Sequence, residues 1–372
     1  MLRLSKNDAP KGTLYVTRKF PPVVGGMEVL AARVWDAIAS TGRQPRLVAN
    51  RHGNRHLPWW LPWAAVQTAW HIARRRVDLV VAGDPVVLVV VQPFARLARI
   101  PTAVVLHGLD LTWGPRAYRS IVLRAVRRCA VSISISEATS DAAVQLGADR
   151  SKIHVVRPGL SAPRPEPTTA DAAAAARATL HVGPDDIVIV TIGRLVRRKG
   201  ALWFAQNVLP HLPSHVHFAV AGAGPDLEEL QGLASTSPAR ERLHVLGKVD
   251  DATWEILMRG ADVFVQPNIK VADDMEGFGL VTIEAALRGT WVVASGMEGI
   301  LDAVIDGVTG QLLTPGDTDT WVAELTALAA DPARLNILGA SAAVACTLNY
   351  GDARFRDELL AELDQVTRRV GA

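Results

Sequence analysis

The stretch Ile187-Val188-Ile189-Val190-Thr191-Ile192 leads straight into Gly193-Arg194-Leu195-Val196-Arg197-Arg198-Lys199-Gly200, and a helical pattern follows. A short apolar β-branched run followed by a glycine-bounded turn and a helix is the repeating unit of a parallel α/β sheet. The same unit recurs downstream, with strand-like runs at 217–221, 243–246, 263–266 and 291–294. It also recurs upstream, at 13–17, 46–49, 79–82, 102–106 and 131–135. Between the two series, residues 159–184 interrupt the alternation with Pro163, Pro165, Pro167 and an alanine-rich helical segment, which marks a domain boundary. The predicted class is α/β, with two Rossmann-like domains whose parallel sheets face a central cleft. The expected domains are 1–165 and 166–350, with a terminal helix in 351–372 that can pack back on the first domain.

A chain of 372 residues suits two such domains. With 49% hydrophobic and 21% charged residues it has the balance of a soluble globular protein. The start of the chain is polar, and the longest apolar run, 86–91, is far too short to span a bilayer. Cys129 and Cys346 are the only cysteines, remote from each other, so neither a disulfide framework nor a zinc site is supported. A cytoplasmic protein is expected. The net charge of +3 hides an asymmetry: residues 1–165 hold 24 Lys and Arg against 9 Asp and Glu, and the remainder 16 against 28. The two halves carry opposite fields.

In open α/β sheets ligands bind beyond the C-terminal ends of the strands. After the first strand come Gly25-Gly26-Met27-Glu28, where paired glycines before a helix allow close backbone approach to a phosphate or sugar, or make an ordinary turn. No GxGxxG is present, which argues against a dinucleotide oxidoreductase. The fourth strand ends in His107-Gly108-Leu109-Asp110, placing an imidazole where it can meet a substrate hydroxyl or phosphate. Arg194 and Lys199, at the mouth of a βα loop, offer the positive charge that a diphosphate leaving group needs, or make a solvated basic turn. Gly222 and Gly224 of Gly222-Ala223-Gly224-Pro225 are consistent with a tight approach to a nucleotide. In Glu276-Gly277-Phe278-Gly279-Leu280-Val281-Thr282-Ile283-Glu284-Ala285, a helix starting near Gly279 would turn its free N–H groups to sugar and phosphate. Glu276 can then accept from sugar hydroxyls, and Glu284, roughly 8 Å deeper, can reach a ribose or, taken alone, lie on a solvated helix face. Asp273 and Asp274 read as an acidic surface loop rather than a metal site.

Taken together, the Gly-Gly-x-Glu loop, HGxD, GRLxxxKG, GxGP and EGFGLxxxEA stand in order over nearly the whole chain. This arrangement resembles family 4 of the retaining glycosyltransferases, also called group 1, which have the GT-B fold. The resemblance implies an enzyme moving a hexose from a UDP- or GDP-linked donor to an acceptor with retention of configuration. Arg194 and Lys199 would hold the diphosphate, with Glu276 on the donor sugar, Glu284 on the ribose and His107 near the reacting carbon. Gly26 would line the nucleotide and acceptor side, Gly277, Phe278, Gly279 and Leu280 the donor, and backbone groups of the turn around Lys248 would read the base. No metal or other cofactor is expected beside the nucleotide-sugar co-substrate. Arg157-Pro158-Gly159-Leu160 and Gly289-Thr290-Trp291 depart from the family's usual residues, a matter of hinge and packing rather than chemistry. A nucleotide-sugar epimerase, a pyridoxal-phosphate phosphorylase and a non-catalytic sugar-nucleotide binder are the alternatives.

The basic first half carries Arg51 and Arg55 beside Trp59, Trp60 and Trp63, a combination suited to a membrane interface or an anionic acceptor. The expected partners are therefore a nucleotide sugar, a glycan, lipid-linked or small-molecule acceptor, and an anionic membrane surface on the cytoplasmic side, reached through a 59–63 loop. No nucleic-acid motif accompanies the charge.

Overall fold

The computed structural model describes residues 12–23, 25–42, 44–112, 114–161, 163 and 169–371, without the side chains of the last three. Pro165 and Pro167 of the boundary segment lie outside the described residues. The chain divides into two compact units, 12–159 with 352–371, and 160–351. The division falls at 159/160 rather than at the 165/166 read from the prolines, because Leu160 donates its N–H to the Tyr350 carbonyl at 2.7 Å within the second unit.

The first unit alternates β1 (Gly12–Thr17), α1 (Gly26–Ala39), β2 (Arg46–Ala49), α2 (Leu57–Ala73), β3 (Val77–Ala82), α3 (Pro85–Leu97), β4 (Thr102–Leu106), α4 (Leu109–Thr112), α5 (Arg116–Arg128), β5 (Val131–Ser134), α6 (Glu137–Gln145) and β6 (Ile153–Val155). Its sheet is parallel, in the order β2-β1-β3-β4-β5-β6. The second unit runs α7 (Thr169–Leu180), β7 (Ile187–Ile192), α8 (Ala201–Asn207), β8 (Val216–Ala221), α9 (Leu227–Thr236), β9 (Leu243–Gly247), α10 (Asp251–Gly260), β10 (Val263–Gln266), α11 (Leu280–Ala286), β11 (Trp291–Ser295), α12 (Ile300–Ala303), β12 (Gln311–Leu313), α13 (Thr318–Ala329) and α14 (Pro332–Tyr350). Its sheet is also parallel, in the order β12-β11-β10-β7-β8-β9.

Each sheet reverses direction once. In the first unit the chain leaves β1 for β2 on one side and resumes at β3 on the other. In the second it moves from β7 through β8 to β9, then returns to β10 on the opposite flank of β7. Such switch points leave a crevice at the C-terminal strand ends, where ligands of open α/β sheets bind. The last helix, α15 (Asp352–Gly371), belongs to the first unit. Phe355, Leu359, Leu363 and Val366 form its buried stripe, and Arg33 of α1 meets Asp352 at 3.2 Å.

One expectation is overturned. The segment expected as a 59–63 loop is the start of α2: Pro58 occupies the first turn, where its missing N–H has no intrahelical role, and only Pro62 removes a helical bond. Trp60 is buried against the core of the first unit, so it is unavailable to an acceptor or membrane, whereas Trp59 and Trp63 are exposed.

On the outer strands of the second sheet, His217 of β8 and His244 of β9 lie with Nδ1 and Nε2 3.1 Å apart, and His217 Nε2 is 3.5 Å from Asp186. One ring must donate and the other accept, so the accepting imidazole at least is neutral. Burial lowers both, His244 to about 4, against the ordinary 6.5. The unfolded chain therefore takes up protons first, and stability is lost as pH falls from about 6.5 towards 4. The urea midpoint of the wild type should drop across that window, and that of His244→Gln should drop less. Equal pH slopes for the two proteins would remove the pair from this account.

Candidate active site

The second unit gathers charged side chains at its switch point. Beyond β7 the backbone turns through Gly193 to Val196 and one 3-10 turn, Arg197–Lys199. Gly200 then adopts φ 71° with the Pro267 carbonyl only 1.7 Å from where a Cβ would stand, so this position takes no side chain. That contact locks the β7 loop to the β10 loop. Beyond β10, Asn268 is fully buried and Ile269 donates its N–H to the Arg198 carbonyl at 3.0 Å. The Glu276 N–H donates to Glu298 Oε2 at 2.6 Å, and the Gly299 N–H to the Glu276 carbonyl at 3.1 Å, which ties in the loop after β11.

Within this frame one carboxylate oxygen holds three donors. Glu276 Oε2 accepts from Lys199 Nζ at 2.5 Å, from Asn268 Nδ2 at 3.2 Å and from the Arg198 guanidinium, whose Nε also meets Asp274 at 2.9 Å. Glu276 Oε1 holds none among the described residues. Burial pushes the Glu276 carboxyl up, but the Lys199 and Arg198 charges outweigh it and bring the group down to about 2. Burial lowers Lys199 despite the facing carboxylate. Arg194 is exposed and makes no ion pair among the described residues, leaving its guanidinium available at the mouth of the same loop.

Glu284 lies on α11, whose cap Gly279 has φ 95°, so the helix starts at Leu280. Its neighbour Arg288 turns its guanidinium to Glu255, at 2.9 and 3.0 Å, and to the Glu284 backbone carbonyl. Among the described residues the Glu284 carboxylate accepts no hydrogen bond, and burial lifts it above the usual range while Arg288 pulls the other way. A half-buried carboxylate with free acceptor capacity is suited to a hydroxyl-bearing ligand.

Other expected donor residues have structural duties. An added Cβ at Gly222 would stand 1.8 Å from the Gly193 carbonyl, and one at Gly224 2.1 Å from that of Leu195, so both are glycine because the loops after β7 and β8 touch. The Phe278 side chain is buried edge-on to Tyr350, which leaves its backbone, with that of Gly277, Gly279 and Leu280, as the part able to meet a ligand. Lys248 is exposed directly after β9. Asp274, read as part of an acidic surface loop, is instead the partner of buried Arg198. Among the described residues no group of three metal-ligating side chains converges.

The first unit has its own cluster at the switch point between β1 and β3. Arg18, directly after β1, meets Asp84 at 3.0 Å and Asp110 at 3.3 Å. Asp84 caps α3 by accepting from the Val86 and Val87 N–H groups. His107 donates from Nε2 to the Gly83 carbonyl at 2.8 Å, since a carbonyl can only accept, so in the neutral ring Nδ1 is an acceptor. Lys19 meets Glu28 at 3.1 Å, and Gly26 is the exposed first residue of α1. Arg51 lies over the Phe20 ring at 5.4 Å, and Arg55 is exposed in the short turn before α2. Arg18, Asp84, Arg198 and Asn268 are the members that sequence reasoning missed. For Asp84 a signal existed, an Asp before a Pro at a helix start.

Comparison with known proteins now bears on this geometry. Residues 24–163 match the family described as Glycosyltransferase Family 4, and residues 186–331 that described as Glycosyl transferases group 1. A GDP-mannose-dependent alpha-(1-6)-phosphatidylinositol monomannoside mannosyltransferase of Mycolicibacterium smegmatis is 30% identical over 72% of this chain and 71% of its own. A D-inositol 3-phosphate glycosyltransferase of Xylanimonas cellulosilytica is 34% identical over 58% of this chain and 52% of its own. The chain thus spans about half the length of several curated relatives it matches. Among solved structures, Anabaena HepE in complex with UDP superimposes with TM-score 0.77 at 19% identity, over 95% of this chain and 100% of that one. Sucrose-phosphate synthase from Thermosynechococcus elongatus gives 0.78 at 17%, over 96% and 100%. The chain belongs to the group 1, family 4 glycosyltransferases, and its fold is GT-B.

Arg198 is a positioning residue in this arrangement, holding Glu276 and Asp274 together from a buried site. Arg198→Met should destabilise the protein by about 3 kcal/mol, because removing one partner leaves buried carboxylate behind. Arg198→Lys should recover part of the loss. The depressed Glu276 contributes stability that is present above its unfolded value of 4.5 and lost as pH falls towards 2, so the variant should also show a weaker acid dependence in that window. Urea titrations at several pH values measure both effects.

Proposed function

We propose that this protein transfers a hexose from a UDP- or GDP-linked donor to an acceptor hydroxyl, with retention of anomeric configuration, and that the acceptor is lipid-linked or otherwise anionic. The single observation that carries the reading is the Lys199–Glu276 pair at the switch point of the second sheet, with the charges of Arg194 and Glu284 near enough to act on Lys199. In the proposed reaction the bond from the anomeric carbon to the diphosphate oxygen breaks and one to the acceptor oxygen forms. The acceptor's proton passes to the departing diphosphate. Charge accumulates on that leaving group, and the two cations, Lys199 and Arg194, stabilise it without a metal. Glu276 Oε1 takes sugar hydroxyls and the unpartnered Glu284 carboxylate the ribose. His107, fixed through Gly83, presents Nδ1 on the acceptor side.

The names of similar proteins support the donor and acceptor classes: UDP is bound by HepE, GDP-mannose is used by the Mycolicibacterium enzyme, and both curated relatives act on inositol phosphates or their lipids. The excess of arginine and lysine in the first unit suits an anionic acceptor at the inner face of the cell membrane, with Arg51, Arg55, Trp59 and Trp63 placed outward on its surface. Among the described residues no helix is long and apolar enough to cross a membrane.

Thermal shifts with UDP, GDP, ADP and TDP should single out one diphosphate. Arg194→Ala and Lys199→Ala should each lower turnover by a factor of roughly a hundred or more with the circular dichroism unchanged. Glu284→Ala should mainly raise the donor KM and weaken binding of the bare nucleoside diphosphate. Near-normal turnover in both cation variants would remove the assignment.

A further inference from the structure

Between Pro85 and Ser136 the chain carries seven arginines and a single acid, Asp110, which is buried against Arg18. Most of this charge lies along α3 and α5. The two helices pack on one another, with Gln92 of α3 donating to the Ala125 carbonyl at 2.9 Å across the base of the contact. Above that bond lies a groove of about 560 Å³, lined by Arg96 and Leu97 of α3 and by Ile121, Arg124 and Arg128 of α5. The three arginines hold no carboxylate among the described residues. Leu97 is 88% exposed and Ile121 57%. A second depression, about 210 Å³, flanks α5 on its other side and is lined by Arg116 and Arg119 with Leu111, Leu123 and Leu146.

These helices have a third neighbour on the same face of the sheet. The crossovers through α2, α3 and α5 all advance in one direction along the strand order, and right-handed crossovers of one direction fall on one face. α2 packs against α3. Its outer side exposes Trp59, Trp63, Val66 and Trp70, spaced four, three and four apart, which is one helical stripe. Such a stripe ordinarily faces a core. Arg74 and Arg76 stack on Trp70 at 4.5 and 5.5 Å.

We propose that the outer face of α2, α3 and α5 seats the protein on an anionic phospholipid surface, with the α3/α5 groove taking a lipid phosphate between Arg96, Arg124 and Arg128. Charge complementarity selects the occupant, since unpaired guanidinium groups line the groove without an acid. The exposed Leu97, Ile121 and tryptophan stripe choose a bilayer over a nucleic acid. Arginine stems lie along apolar surface with their heads at the phosphates, and indole rings sit at headgroup depth. The inference deepens the lipid-linked acceptor of the proposed function, and rests on that reading for its purpose.

Cosedimentation of the full chain with vesicles of phosphatidylglycerol mixed into phosphatidylcholine, and of phosphatidylcholine alone, tests it. The wild type should bind the anionic vesicles only, and less at high salt. Arg96→Gln, Arg124→Gln and Arg128→Gln combined should weaken binding by roughly a hundredfold. Leu97→Ser with Ile121→Ser should weaken it while leaving the salt dependence in place. These side chains are on the surface and outside the transferase site, so UDP or GDP binding should be unchanged in both variants. Wild-type binding that survives the triple change would overturn the groove. Failure to bind vesicles, or retention on poly-aspartate or RNA instead, would overturn the lipid surface. Loss of nucleotide binding by the wild type would overturn the transferase reading separately.

Discussion

Three donors on one buried oxygen, Glu276 Oε2, are the constraint on which the second unit's site depends. Lys199 and Arg198 arrive from the loop after β7, Asn268 from the loop after β10, and Glu298 fixes the Glu276 backbone from the loop after β11. A carboxylate in that setting is tolerable only while its charge is matched, because an unpaired ion in a poorly solvated site is strongly destabilising. The surplus of donors gives the cluster a chemical property. If Lys199 turns to another anion, Arg198 and Asn268 still hold Glu276, so the site can exchange one cation without exposing a bare carboxylate. Under the proposed function, that is the behaviour a diphosphate-binding site requires.

The two units use the same sheet logic for different charge patterns. Both place their buried ionic clusters where the strand order reverses: Arg18, Asp84 and Asp110 at one switch point, Arg198, Lys199 and Glu276 at the other. In the first, a cation is shared by two acids. In the second, an acid is shared by two cations. Burial lifts the Asp110 carboxyl, with the nearby His107 pulling the other way, whereas the cations of the second cluster bring Glu276 down to about 2.

The central strands were legible in the sequence because parallel strands covered on both faces read as unbroken apolar runs, and 102–106, 187–192 and 263–266 match β4, β7 and β10 at both ends. The edge strands β6 and β12 were not, since three residues, two of them only half-buried, give no such run. In the candidate site, residue type and spacing singled out Arg194, Lys199, Glu276 and Glu284, and the structure brings Lys199 and Glu276 into contact. Arg198 was not, for a geometric reason: side chains step by about a third of a turn per residue in a 3-10 turn, so Arg197 points out while Arg198 points in. Nothing in Arg-Arg-Lys says which is which. The 59–63 segment was misread because two prolines suggest a loop, although one of them sits where a helix begins.

The most direct test of the account is a crystal structure of the protein with a nucleoside diphosphate bound. The account predicts Lys199 Nζ and the Arg194 guanidinium on phosphate oxygens, the ribose on Glu284, and Arg198 still on Glu276 Oε2. A diphosphate bound elsewhere, or Lys199 still paired with Glu276 while the nucleotide occupies the site, would contradict it.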